Sequence, residues 1–385
     1  MGSYTVQNYG EMMTDPRRMD AYERAIRTAC RPGSVVLDLG AGTGIMALLA
    51  CRAGAARVYA IETSDAIAVG REIAQANGFA DRITFIQGRS TDLSLPEPVD
   101  VVVADLRGTL PIRGASLASM IDARRFMAPD GVIIPATDVI RGGLVEAPAS
   151  YDTVIAPWRR HARGFDTSPA ERLVLNSWRK QHLAADALLT PAQEFARLDY
   201  HALATASAGK TVTTHVVRAG CAHGLAAWFD TTLLGDIGFT NEPGVSVSLY
   251  GQGFFALPSP VPVDAGDVVR MTLRATPVAD DYVWCWDTRI SSPSGTVKAQ
   301  SSQSTFHEHP LSALRIHALV PQARPSLGVS AAVDRLILQC LDGDTTVSAV
   351  ADAVRRQFPE RFADEQAALA RVRTVLARYP VEAER

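Results

Sequence analysis

A few residues have the types and spacing that chemistry at a nucleotide needs: Asp38, Gly40, Gly42, Gly44, Glu62 and, further on, Asp105. Asp38 closes an apolar run, Val35-Val36-Leu37, of the kind found in a buried parallel strand. Glycines then occupy alternate positions. Without a Cβ they permit a tight turn and let a ligand lie against the backbone, and the helix that follows offers free N–H groups at its start. Met46, Leu48, Leu49 and Cys51 fit that helix, and Val58-Tyr59-Ala60-Ile61 fits a second strand ending on Glu62. A carboxylate there, eighteen residues beyond Gly44, takes the hydroxyls of a ribose. The order strand, glycine turn, helix, strand, acid is one βαβ nucleotide-binding unit.

The dinucleotide fingerprint requires glycine at its first, third and sixth positions, and counting from Gly40 the sixth is Ile45. The observed Asp-x-Gly-x-Gly-x-Gly instead resembles motif I of class I S-adenosylmethionine methyltransferases. Upstream, Tyr9, Glu11, Met12, Met13, Asp15, Arg18 and Tyr22 are similar in type and spacing to the N-terminal helix of the protein arginine methyltransferases. That resemblance implies that Arg18 pairs with the methionyl carboxylate, a match a guanidinium fork favours, that Met12 packs near the sulfonium, and that Tyr9 and Thr63 contact the cofactor. Asp15-Pro16 reads independently as a helix N-cap followed by proline at the first helical position. The bland reading of this helix is a cap on the sheet edge, and the sharper one is a lid.

The elements that position these groups continue the alternation. A helix runs over 65–77, with Asp65 at its cap, and a third strand over 83–87. Ser90, Thr91 and Asp92 follow at a strand C-terminus, where an adenine edge is read, although Asp92 equally suits a short turn. A fourth strand, over 99–105, ends on Asp105, and a charge at that sheet edge points into the ligand crevice. A helix over 115–127 and a strand over 132–135 complete the unit.

The resemblance weakens beyond Asp105. The family's substrate loop carries two glutamates that grip a guanidinium. Here Asp105 stands at the first position and Gly114 at the second, with Arg107 and Arg113 between them. The family's Thr-His-Trp loop corresponds to residues 248–252, Ser-Leu-Tyr-Gly-Gln, so its histidine is missing too. One short carboxylate beside two arginines is a poor host for a cation that stays protonated. The expectation is a methyltransferase re-aimed at a peptide or small-molecule acceptor other than a protein arginine, with Asp105 as the catalytic group.

At 385 residues, 47% hydrophobic and 21% charged, the chain suits two or three globular domains. A net charge of −3 without a dense basic cluster argues against nucleic acid. No apolar run has the length of a membrane span, and the N-terminus lacks a signal-peptide core. The cysteines, Cys30, Cys51, Cys221, Cys285 and Cys340, form neither metal-ligand pairs nor a disulfide framework, which points to a cytoplasmic setting. Lys180, Lys210 and Lys298 are the only lysines, which suggests a bacterial genome rich in G and C.

After Pro135 the pattern changes to short β runs with glycine and proline, as in an antiparallel, barrel-like domain. Residues 151–167 resemble the family's segment at this border, and about 168–198 sits where the family has its dimerisation arm, which implies a homodimer. His223 and Trp228 read as core packing, and His307 and His309 as weak candidates for a base. Pro310, Pro321 and Pro325 mark a linker. Beyond it, helical spacing at Val333, Leu336, Ile337 and Leu341, a turn at 342–344, a cap at Thr346 and helices over 347–358 and 365–379 resemble a PqqD-type winged-helix domain, a leader-peptide binder, with a plain helical docking unit as the equal alternative.

The expected fold is therefore a Rossmann-like α/β domain (1–136), an antiparallel β-barrel-like domain (137–310) and a small helical C-terminal domain (326–385). The expected activity is S-adenosylmethionine-dependent methyl transfer. An arginine methyltransferase, an inactive cofactor-binding scaffold and a nicotinamide oxidoreductase stand as alternatives.

Overall fold

The computed structural model describes residues 4–160, 162–245, 249–310, 321–324 and 326–379. The chain divides into two compact units, 1–310 and 311–385.

The first unit opens with two helices rather than one, α1 (Val6–Met13) and α2 (Pro16–Ala29). Thr5 and Asn8 form a reciprocal capping box on α1. Asp15 caps α2 as expected, its carboxylate accepting the Arg18 N–H at 3.2 Å. The alternation then runs β1 (Val35–Leu39), α3 (Ile45–Arg52), β2 (Arg57–Glu62), α4 (Ala66–Ala76), β3 (Ile83–Gln87), β4 (Val99–Ala104), α5 (Ser116–Ala123) and β5 (Met127–Ile134). The strands form a wholly parallel sheet in the order β3-β2-β1-β4-β5. The order reverses between β1 and β4, and ligands bind at the carboxyl ends of such a switch point.

Two local expectations need correction. Asp65 makes no cap bond to α4, because its carboxylate accepts instead from the Gln87 amide at 2.9 Å. The helix expected to reach 127 stops at Ala123, and β5 starts at Met127 rather than 132. The 3₁₀ turn Arg124–Phe126 intervenes, and Met127 is taken up by pairing with Val99 of β4.

The remaining elements are β6 (Thr137–Val145), α6 (Pro148–Arg160), α7 (Ser168–Val174), β7 (Trp178–Gln181), β8 (Gln193–Asp199), β9 (Ala208–His215), β10 (Gly220–Leu234), β11 (Ile237–Thr240), β12 (Gln252–Val263), β13 (Val268–Val278), β14 (Asp281–Ser291) and β15 (Val297–Ser304). They make two antiparallel sheets, β7-β12-β10-β6-β8 with β11 on β10, and β15-β14-β13-β9. One apolar core runs from Leu37 and Val102 of the parallel sheet to Phe255, Met271 and Trp286 of the antiparallel sheets. Much of the stretch expected to be a dimerisation arm is woven into this region, with β7 pairing with β12 and β8 with β6. Two exposed aromatics, Trp158 and Phe165, lie just ahead of it.

The second unit holds α8 (Val329–Gln339), α9 (Val347–Gln357) and α10 (Glu365–Arg378), packed through Val333, Ile337, Val350, Val354, Val372 and Val375. Thr346 caps α9 as the sequence predicts. Among the described residues this unit has no strand. Of the expected linker, 311–320 and 325 lie outside the described residues.

Candidate active site

The ends of β1 and β4 are register neighbours, Leu39 opposite Ala104, so the glycine turn and Asp105 emerge side by side. All three glycines hold positive φ, +73° at Gly40, +54° at Gly42 and +77° at Gly44. A Cβ on Gly42 would come within 2.4 Å of the Tyr9 ring, and one on Gly40 within 2.3 Å of Leu106. The N-terminal segment thus lies directly on the turn, and glycine is what allows that approach.

Two acids hold the turn from below. Asp38 is buried and accepts the Ala47 N–H at 2.9 Å, anchoring the start of α3. Burial pushes its carboxyl up to about 7, with the Ala47 hydrogen bond pulling the other way. Glu62 accepts from Gly42 N–H at 2.9 Å and from Ser64 N–H at 2.8 Å. The Thr63 hydroxyl reaches it at 3.3 Å. Ser90 is buried on the short 3₁₀ turn Ser90–Asp92, while Thr91 and Asp92 are exposed and bonded to each other.

Arg18 reaches inward from α2. Its Nε donates to Asp105 Oδ2 at 2.5 Å and its Nη1 to the Met12 carbonyl at 3.1 Å, so it ties α1 to the end of β4. Met12 itself is half-buried. Asp105 receives two more groups, Arg107 Nε at 3.1 Å and the Tyr250 hydroxyl at 2.9 Å. Burial alone would raise its carboxyl. The Arg18 and Arg107 charges, with the Arg18 and Tyr250 hydrogen bonds, outweigh that and hold it below the usual carboxylate range.

Arg107 does not face an incoming acceptor. Its guanidinium is turned inward, donating to Asp138 at 3.0 Å, to the Thr231 hydroxyl at 2.7 Å and to Tyr22. The rings of Tyr22, Phe229 and Phe239 surround it at 5.3–5.6 Å. Tyr200 completes the network by donating to Asp138 at 2.7 Å. The positive charge that made the loop look hostile to a cation is therefore matched inside the protein. Arg113 pairs with the Tyr4 hydroxyl and stacks on its ring.

Asp138, Thr231 and Tyr200 escaped the sequence reading. The one available signal was Asp138 itself, a lone acid in an apolar strand. Asp15 also does more than cap: its second oxygen accepts the Leu249 N–H at 3.0 Å, joining α2 to the loop that carries Tyr250. Ser248 of that loop lies outside the described residues. His223 and Trp228 are buried in the core, with His223 accepting from Ala147 N–H at 3.3 Å. His307 and His309 are exposed. Among the described residues no side-chain group could hold a metal, and no helix is long and apolar enough to cross a membrane.

Comparison with known proteins points to one family. Residues 19–134 match the ribosomal protein L11 methyltransferase family, and residues 144–289 the arginine methyltransferase oligomerization subdomain. An arginine N(omega)-methyltransferase of Streptomyces achromogenes is 30% identical over 276 residues, 68% of this chain and 74% of that protein. A probable protein arginine N-methyltransferase 6 of Arabidopsis thaliana is 29% identical over 236 residues, 58% of this chain and only 54% of the relative. The chain thus spans about half the length of that relative. The solved Trypanosoma brucei PRMT1 enzyme-prozyme heterotetrameric complex with AdoHcy shares the fold, with a TM-score of 0.70 at 21% identity over 78% of this chain and 98% of that one.

Proposed function

We infer the activity from one premise: the chain belongs to the arginine N-methyltransferase family. We propose that it methylates a guanidino nitrogen of arginine, free or in a peptide, with S-adenosylmethionine as donor. The observation that carries this reading is the Asp105 carboxylate, held ionised at the β1–β4 switch point between Arg18 and the glycine turn.

The residues fit the donor. Positive φ at Gly40, Gly42 and Gly44 leaves a turn without side chains, Glu62 suits a ribose diol, Arg18 suits a carboxylate, and Ser90, Thr91 and Asp92 suit an adenine edge. Tyr9 packs on Gly42 from the lid side, and the Met12 carbonyl holds Arg18. When bound, S-adenosylmethionine supplies a methyl group on a sulfonium that a nitrogen lone pair can displace. The chain supplies alignment, which is worth several kcal/mol in such a transfer. Asp105, kept charged by Arg18 and Arg107, is a weak base. Its role is to orient the guanidinium, with the proton released to solvent.

A second reading keeps the methyl transfer and changes the acceptor. Gly114 and Leu249 favour it, since they stand where the family's second glutamate and its histidine are expected. One experiment separates the two: methyl-labelled donor with L-arginine or an arginine-containing peptide, followed by acid hydrolysis and mass analysis. Methylarginine establishes the first reading. Label only on other atoms establishes the second.

We also propose a homodimer, supported by the match to the oligomerization subdomain and by the exposed Trp158 and Phe165. The C-terminal unit, by its resemblance to leader-binding domains, is proposed to recruit a peptide acceptor.

A further inference from the structure

The geometry points to Asp281 as the second acceptor-gripping carboxylate, supplied from the antiparallel domain in place of the glutamate missing at Gly114. Val278 and Asp281 pair across a two-residue turn, with Ala279 at φ +53°, so register fixes Asp281 as the first residue of β14. From there its carboxylate accepts the Gly114 N–H at 3.3 Å. It stands at the far end of the loop whose near end is Asp105. Gly114 sits at φ +48°, a conformation in which a side chain is strained, so the loop itself is a poor source of the second acid.

Charge counting gives this acid a task. Arg18, Arg107, Asp105 and Asp138 form a buried quartet of two cations and two anions, with no net charge to spare. An arginine acceptor brings a further positive charge, beside a sulfonium that is also positive. Cations leaving water need an anion close by. Asp281 is exposed and, among the described residues, its contact is the Gly114 N–H and not a lysine or arginine, so its charge remains available. Its hydrogen-bond partner among the described residues is a backbone N–H, a bond that an incoming guanidinium can join without displacing.

The inference rests on arginine as the acceptor and is tested with it. Steady-state kinetics on L-arginine and on an arginine-containing peptide would compare the full-length wild type with Asp281→Asn, Asp281→Ala and Asp281→Glu, and calorimetry would follow S-adenosylmethionine binding. Asparagine retains an oxygen for the Gly114 N–H but loses the charge. The expected result is a KM for arginine raised at least tenfold in Asp281→Asn and Asp281→Ala, activity largely kept in Asp281→Glu, and donor affinity within twofold in all three. Asp281→Asn behaving like wild type would reduce the residue to a backbone latch and overturn the inference alone. A wild type that methylates no guanidinium overturns the reading beneath it, and the inference with it.

Discussion

Arg18 and Asp105 form an ion pair at 2.5 Å, with side chains 7% and 10% exposed. The family resemblance assigns one to the cofactor and the other to the acceptor, and the fold joins them. The pair engages the Nε edge of the guanidinium, and Nη1 reaches the Met12 carbonyl. A guanidinium carries five N–H donors, so Arg18 can hold Asp105 and a second carboxylate together. Arg18→Ala is expected to weaken S-adenosylmethionine binding by about 1–3 kcal/mol, the range for a lost hydrogen bond to a charged group. Calorimetry checks this, and an unchanged affinity removes Arg18 from the cofactor site. Asp105→Asn should instead reduce turnover at least a hundredfold with donor affinity nearly kept.

Glu62 secures the turn by two backbone N–H groups, at Gly42 and Ser64. Its replacement therefore acts twice, on the ribose contact and on the turn. Glu62→Ala is expected to weaken donor binding by about 1–3 kcal/mol. Glu62→Gln keeps an oxygen for one of the two N–H groups and should lose less. Equal losses in both variants would show that the turn does not depend on the side chain.

Asp38 gives a pH prediction. Its folded pKa is raised, to about 7, above the ordinary carboxylate value. A raised group contributes stability that is complete below the unfolded pKa, about 4, and is lost as pH rises through the folded one. Asp38→Asn removes the titration and keeps an acceptor for the Ala47 N–H. The variant should thus gain in melting temperature relative to wild type between pH 4.5 and pH 7.5. A constant difference across that range would contradict the raised value.

How far the sequence disclosed this site depended on whether the signal was local. The βαβ unit was legible because glycine, aspartate and glutamate fall at fixed offsets along one stretch, and strand order then brings Asp105 beside them. Asp15 was legible as a cap, since a cap acts within four residues. Its second bond, to Leu249, crosses more than two hundred residues and leaves no local trace. Arg107 shows the same limit. As a sequence neighbour of Asp105 it looked like a charge opposing the acceptor, whereas Asp138, Thr231 and Tyr22 turn it inward. The helix end at Ala123 leaves no local trace either, since the following Met127 is claimed by Val99 of β4, a partner twenty-eight residues back along the chain.

The Arg107–Asp138 strut provides a last test, one of coupling. Both groups are buried, Asp138 completely. Two charges out of water are costly, and removing one partner strands the other, at about 3–5 kcal/mol. Arg107→Met strands Asp138 and is expected to destabilise by about that much in denaturant unfolding, and Asp138→Asn by less, because Arg107 keeps Asp105 at 3.1 Å. The double variant leaves neither charge unpaired, and its asparagine still accepts from Tyr200, so it should cost clearly less than the two losses added. Arg107→Met also removes one of the cations that hold the Asp105 carboxyl down, so that group should titrate at higher pH. Because a lowered carboxylate is active in its charged form, the acid limb of the pH–rate profile should move upward in the variant. Strict additivity in the double variant, with an unmoved acid limb, would mean that Arg107 neither pairs with Asp138 nor sets the charge of Asp105.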